Sequence, residues 1–278
     1  MTQRVRVFLS LLVWGMASIS TFASVFNWSL VGDEATAIPG EWARIYGYPI
    51  YQPSATWRAT ILTAGTLAVD RYTTPFVQDV VYPLTTELKE TDPDTALFVG
   101  AGALYTWGAL TAESLHQETA LRLVKAYMHS YLYTQLTLKT IFARNRPTPY
   151  LSSGEVLSGY TNDPLSFGNY HSVYFEDRVE GSSFPSFQFT FVFAAIRVLS
   201  HQYQNPWSYT LGAVYLLPNI SRHQHWVSDM VAGAFIGTMI AEEIVNPSKV
   251  DGPSDDEIIT MIPLVSVGTV GGLLHVSI

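Results

Sequence analysis

Six apolar segments of helical length lie between residues 55 and 245, and they constrain the fold more than any other feature of the chain. Most of their apolar runs are shorter than the roughly 18–20 residues needed to cross a bilayer, and several carry charged or polar faces. We therefore expect an all-α domain that is water-soluble or peripherally attached to a membrane, in preference to one that spans it several times. The predicted helices are 55–70, 95–113, 117–144, 186–201, 207–217 and 226–245.

The composition agrees with a helical interior and excludes several classes of function. The chain is 48% hydrophobic and only 14% charged, below the usual quarter. Its net charge of −8 provides no basic field, so we expect no nucleic-acid partner. The chain has no cysteine, which excludes disulfides, thiolate catalysis, cysteine-based zinc sites and a lipoprotein anchor.

Residues 1–23 are typical of a secretory signal peptide. Arg4 and Arg6 precede the apolar stretch VFLSLLVWGMASISTFA, and we predict cleavage after Ala23. An uncleaved N-terminal anchor is the alternative. In both cases the protein is expected to cross the inner membrane and to work in the periplasm or attached to a membrane of the cell envelope.

The remaining segments differ from the helical domain in composition. Residues 24–54 are rich in Gly, Pro and aromatic residues, which predicts an irregular N-terminal arm. The stretch between Pro147 and Phe184 predicts a long ordered loop that covers a site. Residues 246–278 predict a linker followed by a short C-terminal β-hairpin, because β-branched residues surround GTVGG.

The stretch KTIFARNRP contains the first group of candidate site residues. Lys139 and Arg146 are seven residues apart, which places them on one face of a helix that Pro147 would end. Two cations at a helix end suit a doubly charged oxyanion. A solvated helix face is the alternative for these two residues taken alone.

The stretch GSSFPSFQFT predicts a loop that leads directly into a helix. Ser186 is a good N-cap, and the N–H groups of Phe187 and Gln188, together with the helix dipole, favour an anion at this position. An ordinary helix N-cap is the commoner meaning of such a pattern.

The stretch NISRHQHWVSDM places His225 and Asp229 four residues apart at the start of a helix. A carboxylate at this spacing can accept a hydrogen bond from one ring nitrogen, which fixes the tautomer and leaves the other nitrogen free as a nucleophile. A surface pair is the alternative. His223 and His225 with one carboxylate indicate a metal only weakly, so we predict neither a metal nor a cofactor.

Together and in this order, the three motifs resemble the type 2 phosphatidic acid phosphatase superfamily, which includes bacterial acid phosphatases and vanadium haloperoxidases. Its pattern is Lys-x6-Arg-Pro, then Pro-Ser-Gly-His, then Ser-Arg-x5-His-x3-Asp. The resemblance covers about residues 55–245 and implies an all-α bundle with the site at one end. It also implies a phosphohistidine at His225, oriented by Asp229. Phosphoryl oxygens would be held by Lys139, Arg146, Ser186 and backbone N–H groups.

The chain departs from this pattern at two points. Phe187-Gln188 replace Gly-His, and Gln188 has no titratable proton to give a leaving group. The loss of a general acid typically costs ~10²–10⁴ in rate. In the family pattern an arginine stands six residues before the histidine, and Asn219 occupies that position before His225. Arg222 lies three residues closer to His225 than the pattern requires.

Three functions remain open at this stage. The favoured one is an envelope protein impaired or inactive as a phosphatase, which retains a site for an anion or a phospholipid headgroup. An alternative is an active, metal-independent phosphatase that acts on a lipid phosphate or an isoprenyl diphosphate through His225. The third is a scaffold or partner subunit of an envelope assembly, docked through the C-terminal hairpin. A haloperoxidase is least expected. A substitute acid from the long loop is another alternative, with three candidates: His171, Glu176 and Asp177.

Overall fold

The computed structural model describes residues 26–85, 93–170, 179–221, 225–246, 260–263 and 273–276. Its main unit is helical, as predicted, and each of the six predicted helices overlaps an observed one. A π-helical segment, Tyr131–Leu138, joins α4 to α5 in one continuous helix. The helices are α1 (Trp28–Tyr51), α2 (Pro53–Thr85), α3 (Pro93–Thr111), α4 (Ser114–Ser130), α5 (Lys139–Phe142), α6 (Phe187–Tyr203), α7 (Trp207–Ser221) and α8 (Val227–Val245).

The hydrophobic core lies where α4, α6 and α8 pack together. Each helix contributes fully buried aliphatic side chains to this core, among them Ala126, Val198 and Ile240. No helix within the described residues combines the length and the apolar character that a membrane crossing requires.

The predicted irregular arm over residues 24–54 is wrong from Trp28 onward, where α1 begins. Asn27 caps this helix, because its side chain accepts a hydrogen bond from the Leu30 N–H. The helix continues through Pro39 and Pro49, the residues that favoured an irregular arm. Tertiary contacts of buried Glu41 and Ile45 therefore outweigh the local preference against helix.

A buried ionic cluster holds α1 against α4. Glu41 accepts hydrogen bonds from Lys125 and from His129, the latter at 2.9 Å between Oε2 and Nε2. Lys125 also pairs with Glu34, which in turn accepts from Arg122. Burial acts to raise the pKa of Glu41, but the hydrogen bonds from His129 and Lys125 outweigh it and lower that pKa. The carboxylate therefore stays charged and tethers α1.

Close contact between α6 and α8 depends on two glycines one turn apart. A Cβ atom on Gly233 would lie 2.6 Å from the Ser186 carbonyl oxygen, and one on Gly237 would lie 2.1 Å from the Thr190 carbonyl oxygen. Any side chain here would separate the two helices. The glycines thus let the N-terminal ends of α6 and α8 approach each other.

The helix that carries Lys139 ends at Phe142 and not at Pro147. Contrary to the prediction, Arg146 therefore does not share a helix face with Lys139. Ala143 adopts a left-handed conformation, with φ of 44°, and its carbonyl oxygen accepts from the Asn169 N–H at 2.8 Å. The next residues are hydrogen-bonded to the long loop; for example, the Thr161 N–H donates to the Arg146 carbonyl at 2.9 Å. These loop contacts end the helix before the proline can act.

The chain divides into two compact units, Met1–Pro247 and Ser248–Ile278. In the second unit, β1 (Thr260–Pro263) pairs antiparallel with β2 (Leu273–Val276). Residues 264–272, which would form the turn of the predicted hairpin, lie outside the described residues, so the hairpin stays a prediction. The predicted signal peptide, 1–23, also lies outside them.

Candidate active site

The imidazole of His225 is almost fully buried and held by one backbone carbonyl. Its Nδ1 donates to the Ser183 carbonyl oxygen at 2.9 Å. A carbonyl can only accept, so Nδ1 carries the proton and Nε2 keeps a free lone pair. Burial lowers the pKa of His225, and the charges of Lys139 and Arg146 lower it further, against the opposing effect of Asp229. The ring is therefore a neutral base with a free electron pair on Nε2.

Asp229 does not bind His225 directly, in contrast to the expectation from sequence. Its Oδ2 lies 3.8 Å from Nδ1 of His225, too far for a hydrogen bond. The carboxylate instead accepts from the Ser183 hydroxyl and from the Trp226 N–H. Ser183 thus links the two, because its hydroxyl donates to Asp229 while its carbonyl accepts from His225. The hydrogen-bonded connection between Asp229 and the histidine therefore runs through Ser183.

Sequence reasoning missed Arg144, a fully buried cation beneath this arrangement. Its guanidinium donates to the carboxylates of Asp70 and Asp229 and to the Ser228 hydroxyl, and it lies between the rings of Phe167 and Trp226. All three guanidinium nitrogens donate to protein acceptors. Burial acts to raise the pKa of Asp229, but the Arg144 charge and the hydrogen bonds outweigh it and lower that pKa.

The first N–H groups of α8 are all taken by protein acceptors. The Val227 N–H donates to Thr74 Oγ1 at 3.2 Å and the Ser228 N–H to Asp70 Oδ1 at 3.0 Å. The Asp229 carboxylate takes the Trp226 N–H at 2.9 Å. This helix end therefore serves to hold the residues next to His225 and has no donor left for a ligand.

The two predicted cations come close to His225, although the chain brings them there by different routes. Lys139 is 3% exposed at the start of α5, directly after the π-helical segment, and Arg146 is 5% exposed in the loop beyond it. Both charges contribute to the lowered pKa of His225. Two buried cations beside a neutral imidazole make a site for a doubly charged oxyanion.

The N-terminus of α6 is open, unlike that of α8. Ser186 is the predicted N-cap, since its hydroxyl accepts from the Phe189 N–H at 3.4 Å. Its own N–H donates to the Asp229 carbonyl oxygen at 3.0 Å, which joins the two helix ends. Neither the Phe187 nor the Gln188 N–H has a protein acceptor within the described residues. These two donors and the helix dipole are available to an anion.

The two residues that replace the family's Gly-His occupy different surroundings. The Phe187 ring makes edge-on contacts with Tyr127 and Tyr131, at centroid distances of 5.5 and 5.7 Å, so it packs toward α4 and the π-helical segment. The Gln188 Oε1 is buried and has no hydrogen-bond partner among the described residues. The amide cannot supply a proton by titration in either orientation.

Several candidates fall where the structure does not describe them. Arg222 and the three proposed substitute acids, His171, Glu176 and Asp177, lie outside the described residues. Asn219 lies in the last turn of α7. Within the described part of the chain no three His, Asp or Glu side chains come together as a metal site would need.

Residues 119–246 match the family model of the PAP2 superfamily. This part of the chain belongs to the PAP2 superfamily. The match contains all three motifs and begins inside α4, so α1, α2 and α3 precede it. The chain has no significant match among curated proteins or among solved structures.

The PAP2 match indicates a phosphatase-like site. A free Nε2 lone pair, two buried cations and an open helix N-terminus meet the needs of a phosphoryl group that receives a nucleophile. Asp70 and Thr74 reach this PAP2 site from α2, outside the matched residues.

Proposed function

We propose that the protein is a phosphatase-like protein that binds a phosphate group and transfers it to Nε2 of His225 only when the leaving group needs no proton. The observation that carries this proposal is the hydrogen bond from Nδ1 of His225 to the Ser183 carbonyl. This bond selects the tautomer with a nucleophilic Nε2, and burial keeps the ring neutral.

Binding would use the open end of α6 and the two cations. Phosphoryl oxygens would accept from the N–H groups of Phe187 and Gln188 and pair with Lys139 and Arg146. These donors compensate the charge that develops on the phosphoryl oxygens during transfer. The Nε2 lone pair would form the P–N bond while the P–O bond to the leaving group breaks and its electron pair leaves with that oxygen. Water would then hydrolyse the phosphohistidine and release phosphate.

The leaving group decides the rate, because Gln188 offers no acid. An alkoxide that leaves from an alkyl monoester requires a proton, and its absence costs ~10²–10⁴ in rate. When the terminal phosphoryl group of a diphosphate is transferred, the remaining monophosphate leaves with the bridging oxygen; it is a far weaker base than an alkoxide and has less need of a proton. The proposed substrate class is therefore a diphosphate, such as an isoprenyl diphosphate, or an activated phosphate ester. A simple lipid phosphate would bind and react slowly.

A second candidate is binding without turnover, and Gln188 is the observation that favours it. The site would then hold a phospholipid headgroup or another phosphate-bearing lipid. Action outside the cytoplasm, in the cell envelope, is part of both proposals and is supported by the character of residues 1–23. A role as a partner subunit docked through the C-terminal segment is compatible with the second candidate.

The proposal is tested by phosphate release from the purified protein with an alkyl monoester, a phosphatidic acid and an isoprenyl diphosphate. We expect release from the diphosphate that is abolished in His225→Ala. We also expect Gln188→His to accelerate the monoester reaction, with Gln188→Asn as the matched control that leaves it slow. Equal turnover of monoester and diphosphate by the wild type would overturn the leaving-group argument. Silence of the wild type with activity in Gln188→His would establish the binding-only candidate.

A further inference from the structure

Asp70 lies on α2, outside the residues that match the PAP2 superfamily, yet it reaches the interior of the site. The residue is fully buried. Its Oδ1 accepts from the Ser228 N–H at 3.0 Å, and its Oδ2 accepts from the Ser228 hydroxyl and from Nη2 of Arg144 at 2.9 Å. Asp70 thus binds Ser228, which is three residues from His225, and Arg144, the cation that pairs with Asp229.

A continuous chain of contacts runs from Asp70 to the imidazole. Arg144 lies between two carboxylates, since its Nη2 donates to Asp70 and its Nη1 to Asp229. Asp229 accepts from the Ser183 hydroxyl, and the Ser183 carbonyl accepts from Nδ1 of His225. Every link is a buried hydrogen bond. Water therefore cannot easily replace a hydrogen-bond partner that is lost when Asp70 is changed.

We infer that Asp70 is a positioning residue for His225, acting through Arg144, Ser228 and Asp229, and that α2 is therefore a functional part of the site. Without the Asp70 charge, Arg144 has one carboxylate to face in place of two, and the Ser228 hydroxyl loses its acceptor. The guanidinium then shifts toward Asp229, and the Asp229 carboxylate and Ser183 shift with it. The carbonyl that selects the histidine tautomer is displaced.

The substitution Asp70→Asn tests this directly, because it preserves size but turns an amide N–H₂ toward Arg144 or Ser228. Gln78→Leu is the matched control: Gln78 is a buried polar residue two turns along α2, and its amide donates to the Thr148 carbonyl at 3.4 Å. The first readout is the tautomer of His225, from two-bond proton–nitrogen correlation spectra of the full chain with ¹⁵N-labelled histidine, assigned with His225→Gln.

We expect the wild type and Gln78→Leu to show His225 protonated at Nδ1, and Asp70→Asn to show a mixture that includes protonation at Nε2. The second readout rests on the proposed function. For the diphosphate substrate, we expect Asp70→Asn to lower kcat about 10–100-fold at nearly constant KM, as small displacements of a reacting group do. Gln78→Leu should keep its kcat.

A single tautomer at Nδ1 in both variants, with comparable losses of stability, would make Asp70 a purely structural residue and overturn the inference. The tautomer readout needs no turnover. A wild type that releases no phosphate would therefore reject the proposed function alone, and the spectra would still decide the role of Asp70.

Discussion

Two helices begin at the site, and their N-terminal ends are used in opposite ways. At α8 the chain's own groups fill the positive end: Thr74 and Asp70 take the first N–H groups, and Asp229 takes that of Trp226. At α6 the N–H groups of Phe187 and Gln188 have no acceptor within the described residues. The filled end holds His225 in place, and the open end leaves its donors to a ligand.

Within the described residues, three buried cations lie at or near the site: Arg144, Lys139 and Arg146. Arg144 is saturated by Asp70, Asp229, Ser228 and the Pro164 carbonyl, so it serves the structure. Lys139 and Arg146 contribute positive charge at His225. Burial of a positive charge therefore does not by itself indicate a role in binding.

Removal of the cation at the filled end should have the largest effect on stability. Arg144→Leu leaves Asp70 and Asp229 buried beside each other without compensation, and we expect a loss of about 3–5 kcal/mol in the free energy of unfolding. Urea denaturation measures it. Arg144→Lys is the control: it keeps the charge but not the fork of donors, and should lose less. A loss under about 1 kcal/mol for Arg144→Leu would contradict a structural role for Arg144.

Removal of a cation near the open end should weaken ligand binding more than folding. For Lys139→Met we expect the affinity for orthovanadate, an analogue of the transferred phosphoryl group, to fall roughly 10–100-fold, the equivalent of one charged hydrogen bond. Titration calorimetry measures it. The control is Arg197→Met, a cation of α6 that is paired with Glu242. If Lys139→Met bound vanadate as the wild type does, Lys139 would not belong to the ligand site.

The two helix ends meet because α6 and α8 touch at glycines. In Gly237→Ala the new methyl group would lie 2.1 Å from the Thr190 carbonyl oxygen, so the helices must separate. We expect a loss of about 1–3 kcal/mol in the free energy of unfolding. Gly102→Ala, in α3, is the control: nothing lies within 4 Å of the added atom. That variant should gain about 0.5–1 kcal/mol, since alanine favours helix. A neutral Gly237→Ala would contradict the close contact.

Sequence reasoning found the open end of the site but, at the filled end, found only His225 and Asp229. Lys139, Arg146, Ser186 and His225 stand in motifs whose residue types and order indicate a phosphate site. Arg144 and Asp70 stand in no such pattern, because their roles depend on contacts between segments that lie 74 residues apart in the chain. Arg144 lies inside the stretch from Lys139 to Arg146, which was a signal, but position alone does not distinguish a structural cation from a ligand-binding one.

The errors in the fold have the same physical origin. Local signals predict six helices that overlap observed ones but assign residues 24–54 to an irregular arm, since Pro39 and Pro49 suggest no helix. The buried pairing of Glu41 with Lys125 and His129 outweighs that preference. Likewise, Pro147 predicts the end of a helix that the contacts of Ala143 with Asn169 end earlier. Interactions distant in sequence decided each case.

The neutral state of His225 predicts a loss of stability on acidification. Its pKa is lowered by burial in the folded protein, so below about pH 6.5 the unfolded chain takes up a proton that the folded chain does not. The contribution is present above that pH and is lost as the pH falls toward the lowered folded value, at up to about 1.4 kcal/mol per pH unit. Urea denaturation between about pH 7.5 and about pH 5.5 should show a smaller decline for His225→Gln than for the wild type. Parallel declines would mean that His225 is not held neutral.

The smallest effect concerns Ala143, the residue whose turn directs Arg144 to the filled end and Arg146 toward the open one. Its φ of 44° is left-handed, which costs an L-residue about 1–2 kcal/mol and glycine almost nothing. Part of the gain in Ala143→Gly is offset by the greater freedom of the unfolded chain, about 0.4–1 kcal/mol. We expect a net stabilisation of up to about 1 kcal/mol, measured by urea denaturation, with vanadate affinity unchanged.

Two controls separate this backbone effect from any other consequence of glycine. Ala112→Gly, at the exposed end of α3 with φ of 57°, should also stabilise, whereas Ala103→Gly inside the same helix should destabilise by about 1 kcal/mol. A loss of stability in Ala143→Gly would show that the Ala143 methyl group, which is fully buried, contributes more through packing than the left-handed turn costs. The turn between the two arginines would then be held by side-chain packing in addition to its hydrogen bonds to Lys139 and Asn169.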